Sequence, residues 1–167
     1  MIEILLFLAA AAAQSSQSGG ASAAVSQSTD APPAFLAPES NLVAEPQVPT
    51  GKFTTAVEIK PILAATRGNW IGVREFNGQD LLYVTHLWSW RCGLVELRIG
   101  INGAAPEVWP LPTCHEDEPA PNAIKEQDGL PYRNYGLGSV QAIDVELTYD
   151  DLTTESASFE RQAVKIP

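Results

Sequence analysis

The chain has two cysteines, Cys92 and Cys114, and two histidines, His86 and His115, and no others of either type. Three chemistries are open to them. An oxidised Cys92–Cys114 pair would close a loop of about twenty residues and stabilise the fold by roughly 3 kcal/mol. Two thiolates and two imidazoles could instead hold zinc tetrahedrally, but structural zinc sites build from close C-x-x-C or H-x-x-x-H pairs, and neither spacing occurs. The expectation is therefore a disulfide, with no metal and no cofactor. Third, His115 precedes Glu116, Asp117 and Glu118, so a small hydrolase could use it as a base oriented by an acidic neighbour. No G-x-S-x-G nucleophile motif accompanies it, and the acids lack the alternating spacing of an EF-hand loop. A solvated acidic loop is the leading reading, and no catalytic residue is assigned.

The aromatic residues are the other candidates. His86-Leu87-Trp88-Ser89-Trp90-Arg91-Cys92, read as a strand, places His86, Trp88, Trp90 and Cys92 on one face. Trp88 and Trp90 then either pack on the disulfide as core, as a tryptophan does in immunoglobulin domains, or form an exposed platform for a sugar ring or a partner's apolar patch. Both tryptophans precede the first cysteine, so the similarity to immunoglobulin domains ends at the packing device. Tyr132, Arg133 and Tyr135, joined by Trp109, make a second recognition surface in a loop-like region.

The elements that must position these residues are mostly strands. Glu58–Thr66 reads as a short helix capped by Glu58, with Pro61 in its first turn and Gly68 beyond its end. Trp70–Phe76 and Leu81–Trp90 flank Asn77-Gly78, a two-residue hairpin signal. Leu94–Ile101 alternates, with Val95, Leu97, Ile99 and Ile101 inward and Glu96 and Arg98 outward, and Asn102-Gly103 gives a second turn. Residues 104–138 hold no clear period. Ser139–Tyr149 alternates again, Asp150-Asp151 turns the chain, and Glu155–Gln162 is a last strand. Five strands and one short N-terminal helix predict a mainly β fold, a small antiparallel β-sandwich, with a five-stranded open barrel as the alternative.

Composition divides the chain. Residues 14–51 are rich in Ser, Gln, Ala, Gly and Pro and poor in bulky side chains, so they read as a disordered linker. Residues 52–167 form the foldable domain, long enough for one core. Ile4–Ala13 is a charge-free apolar run followed by small residues, which fits a secretory signal cleaved near Gln14, although Met1-Ile2-Glu3 supplies no positive charge. An uncleaved tail is the alternative. The run is too short to span a bilayer, so no stable membrane insertion is expected. Net charge is −10, and residues 52–167 keep 16 acids against 10 bases. Such a domain repels nucleic acid and anionic membrane surfaces.

From Thr54 to Pro167, through Gly68-Asn69-Trp70, Trp88-Ser89-Trp90-Arg91-Cys92-Gly93 and Leu137-Gly138-Ser139-Val140, the chain resembles small exported bacterial proteins of unassigned function. The resemblance implies a periplasmic setting and no particular activity. The leading expectation is a non-enzymatic periplasmic or secreted binding module for an envelope protein or polymer. The alternatives are the His115 hydrolase and a structural envelope protein without a specific ligand.

Overall fold

The computed structural model describes residues 42–167. The signal-like segment 1–13 and the expected linker up to residue 41 lie outside the described residues. In chain order the strands are β1 (Gly72–Phe76), β2 (Gln79–Tyr83), β3 (Leu94–Ile101), β4 (Glu107–Trp109), β5 (Tyr132–Gly136), β6 (Ala142–Tyr149), β7 (Thr154–Glu160) and β8 (Lys165–Ile166). They form two four-stranded sheets, ordered β5-β2-β1-β8 and β4-β3-β6-β7. All neighbours are antiparallel except β1 and β8. The fold is β-rich, as the sequence predicts.

Where the sequence signals are local and strong, the elements follow them. Asn77 and Gly78 have φ of 49° and 73°, the doubly left-handed turn whose twist matches a tight hairpin, and β1 and β2 pair outward from it. Asn102 and Gly103 repeat the device with φ of 54° and 80°. The Asn102 side chain also accepts the N–H groups of Gln141 and Ala142 and donates to the Ser139 carbonyl, fixing the start of β6. Along β6, Ile143, Val145, Leu147 and Tyr149 are buried while Asp144, Glu146 and Thr148 alternate with them on the other face.

Four expectations need correction. The helix α1 runs Ala56–Ala65, two residues earlier than expected at its start, with Thr55 at the N-cap. Pro61 is thus its sixth residue rather than in the first turn, so the carbonyl of exposed Val57 receives no N–H from position 61. Glu58 still serves the entry: its carboxylate accepts the N–H groups of Thr50, Gly51 and Thr54. Burial acts against the Glu58 charge, but these bonds and the Thr55 hydroxyl hold its pKa below the ordinary value. The strand expected over Leu81–Trp90 ends at Tyr83. Thr85–Trp88 is a helical turn, α2, because a run apolar on both faces fits a buried helix as well as a buried strand, and here Leu87 and Trp88 both reach the core. The last expected strand stops at Glu160, and Arg161–Val164 forms another turn, α3. Residues 104–138, expected to be irregular, contain β4 and β5, which are too short to show a period. Among residues 42–51, Glu45 donates its N–H to the Asp150 carbonyl and Gln47 its side-chain amide to the Asp150 carboxylate.

One cluster of buried apolar side chains draws on both sheets and on α1, with Trp70, Leu82, Leu97, Ile143 and Leu147 fully buried. Helix α1 contributes Ala56, Ile59 and Leu63, and its first N–H donates to buried Asp150, 2.8 Å away. The carboxylate thus caps the positive end of the helix from another part of the chain. Gly93 lies beneath this helix, where a Cβ would come within 2.7 Å of Ile59 and 2.9 Å of the Thr55 backbone.

The two sheets are also joined by charge. Arg161, just after β7, is 5 % exposed and grips fully buried Asp80 of β2 through both carboxylate oxygens, at 2.6 and 2.9 Å. It also donates to the Val140 carbonyl and to Glu75, while Asp80 accepts the Val140 N–H. The Arg161 hydrogen bonds hold the Asp80 carboxyl far below the usual carboxylate range, overcoming the opposing effect of burial.

Candidate functional site

Cys92 and Cys114 form a disulfide, with 2.08 Å between sulfurs and 5.0 Å between Cα atoms. Oxidised sulfurs are not available as thiolate metal ligands. Among the described residues no group of three or more His, Cys, Asp or Glu could hold a metal ion. Beside the bridge, Arg91 is buried at 2 % exposure. All of its guanidinium nitrogens donate, to the carbonyls of Trp88, Thr113, Asn122 and Ala123 and to the Asp128 carboxylate. Burial lowers the Arg91 pKa, and the charge of Asp128 opposes that effect. One side chain thereby organises the irregular segment 110–128, which lacks a sheet ladder to satisfy its backbone.

The same network settles the geometry around His115. Its Nε2 lies 3.1 Å from both oxygens of Asp128, not beside the carboxylates that follow it in sequence. Asp128 also accepts the Lys125 N–H and the Arg91 guanidinium, so it is saturated with donors. Desolvation would raise the Asp128 pKa, but these donors hold it below its ordinary value. Glu118 forms an ion pair with Lys125 instead.

The aromatic candidates fall into two groups. Trp88 and Trp109 are 5 % and 3 % exposed and belong to the core. Trp90 is half-buried on another side, edge-on to Phe53 at 5.5 Å and to His86 at 6.5 Å. Tyr135 is half-buried and packs on the core from β5. Tyr132 and Arg133 are on the edge strand β5, and the Arg133 guanidinium lies 4.2 Å above the Trp109 ring. Four of the six predicted residues, Trp88, Trp109, Tyr132 and Arg133, therefore meet, around a shallow hollow of about 180 Å³ that also includes Leu130 and Asp128. The tryptophans form its floor and offer little ring area of their own.

A larger groove opens next to it. About 520 Å³ lies between Gly68–Gly72, the Tyr83–Ser89 region and the C-terminal segment Ala163–Ile166. Tyr83 lines this groove and Tyr132 lines the smaller hollow. The two tyrosines are paired across β2 and β5 with ring centroids 5.0 Å apart. Residues directly opposite in a ladder share a face, so the rings stand together between the two depressions. Around them, Asn69 and Thr85 are exposed, and His86 faces the groove with its Nε2 2.8 Å from the Thr66 hydroxyl. Burial pushes the His86 pKa below the ordinary histidine value. Tyr83 and His86 were not among the predicted recognition residues. The assumption of a continuous strand placed Tyr83 and His86 on opposite faces, whereas the turn at α2 puts both on one groove.

No known protein family, curated protein or solved structure matches this chain. The disulfide is compatible with an extracellular or periplasmic protein. No described helix is long and apolar enough to cross a membrane.

Proposed function

We propose that this is a non-enzymatic binding module of the periplasm or extracellular space: a small antiparallel β-sandwich, delivered by an N-terminal signal, that recognises a protein or polymer of the cell envelope. The observation that carries the reading is the Tyr83–Tyr132 pair standing between two depressions, with Arg133 stacked on Trp109 beside it. Clustered rings with a few convergent polar groups, held on rigid strands next to a concave surface of this volume, are the usual composition of a ligand site. The disulfide and the Arg91 hub fix the loop that forms one rim.

Two measurements test it. The exported, non-reduced protein is expected to begin near Gln14 and to have a mass two hydrogens lower than the dithiol. Purified envelope fractions are expected to sediment the wild-type protein and to release most of a Tyr132→Ala, Arg133→Ala variant. An intact Met1 in the exported fraction, or equal sedimentation of both proteins, would overturn the proposal.

A further inference from the structure

We infer that the ligand of this groove is an uncharged glycan chain. The inference rests on the binding-module reading and names its substrate class. Its first support is electrostatic. Residues 52–167 contain 16 acidic side chains, yet no Asp or Glu lines the 520 Å³ groove. Its one cationic side chain is Lys165, whose ammonium is paired with Glu75 at 3.0 Å. Burial lowers the His86 pKa, which favours its uncharged form. The lining is therefore close to electroneutral in a strongly acidic domain. A basic peptide finds no carboxylate in the groove lining, and the cation of the neighbouring hollow, Arg133, lies over the Trp109 ring beside Asp128.

The second support is the pairing of rings with neutral donors and acceptors. A pyranose ring has a face of C–H groups and a rim of hydroxyls, so it is recognised by an aromatic face together with amides and hydroxyls. The groove presents this combination: the Tyr83 ring, backed by Tyr132 from the adjacent hollow, the exposed Asn69 amide, the exposed Thr85 hydroxyl and Ser89. The third support is shape. Tyr83 lines the groove, Tyr132 lines the hollow, and their rings are 5.0 Å apart, so the pair links two open concave surfaces in place of a closed pocket. Open surfaces suit a linear polymer entering and leaving at both ends.

The test uses the full disulfide-intact chain and two named neutral probes, the hexamer of N-acetylglucosamine and cellohexaose, titrated by calorimetry. Polylysine and polygalacturonate are the charged comparators. Saturable binding to a neutral hexamer is expected. Tyr132→Ala is expected to weaken it about tenfold, Asn69→Ala to weaken it less, and Arg98→Ala on the other sheet to leave it unchanged. Should Tyr132→Ala lose its native circular dichroism, Tyr132→Leu, which keeps an apolar side chain on β5 but removes the ring, and Asn69→Ala provide the readout. Absence of saturable binding to both hexamers, or binding indifferent to all the groove variants, overturns the glycan. If the envelope fraction nevertheless retains the protein through Tyr132, the binding-module reading survives with a protein ligand. If that retention is also absent, both readings fail.

Discussion

Two buried arginines hold this protein together at two places, and they are satisfied by different partners. Arg161 lies where the sheets are regular and grips carboxylates, Asp80 through two oxygens and Glu75 through one. Arg91 lies where the chain is irregular and grips four backbone carbonyls as well as Asp128. In the first region the flanking strands are paired in ladders and only the Val140 backbone, outside them, is left to the clamp, so the buried charge is met mainly by counter-charge. In the second there is no ladder, and the arginine supplies the donors that a strand would have provided. The first arginine is a clamp between sheets. The second stands in for secondary structure.

This contrast can be broken most severely at the clamp. Asp80→Asn leaves the Arg161 charge buried with half of its compensation, and a loss of about 3–5 kcal/mol in denaturant unfolding is expected. A loss below 1 kcal/mol would mean that Glu75 and Lys165 rearrange to absorb the charge. At the hub, Cys92→Ser with Cys114→Ser is expected to cost about 2–4 kcal/mol, and Arg91→Met about 1–3 kcal/mol as carbonyls lose their donors. Both changes release the same segment, 110–128, so the combined variant should lose less than the sum. Asp80→Asn should add independently to either, because it acts in a different region. Strict additivity at the hub would show that the disulfide and Arg91 fix separate structures.

The smallest effect is the dependence on acid. The folded-state pKa of Asp80 is depressed, so between its unfolded and folded values the unfolded chain holds more protons than the folded one. Its contribution is complete above the unfolded carboxyl pKa of about 4 and is lost as pH falls below that value. Wild-type stability is therefore expected to decline from about pH 4 downward, and Asp80→Asn to show a shallower decline. Equal slopes in the two proteins would remove the linkage argument.

How much of this was legible in the sequence depends on how far apart the cooperating residues are. Asn77-Gly78 and Asn102-Gly103 carry their turn geometry in two adjacent residues, and the alternation of Leu97 and Ile99 and of Ile143, Val145, Leu147 and Tyr149 carries its sheet face in a short window. A register shift at the start of β3, by contrast, puts Leu94, not Val95 as expected, in the core. The disulfide was legible because only one pairing exists. The Arg161–Asp80 clamp spans 81 positions and leaves no local trace. Arg91 sits between Trp90 and Cys92, and a charge lodged among core-forming residues was the one available sign of its burial. The recognition residues were half legible. Aromatic density singled out Tyr132 and Arg133, but the assumption of an unbroken strand through Trp90 hid the turn that brings Tyr83 and His86 to the groove.

Strand β8 has a consequence for the order of assembly. It is two residues long, it pairs in parallel with β1, and nearly the whole domain separates the partners in sequence. The sheet that bears the tyrosine pair therefore cannot acquire its β8 edge until Lys165–Ile166 are free to dock. Such distant contacts are entropically late and slow a folding reaction. A chain that emerges N-terminus first would pair β1 with β2 early, yet leave the far edge of β1 open until Lys165–Ile166 follow.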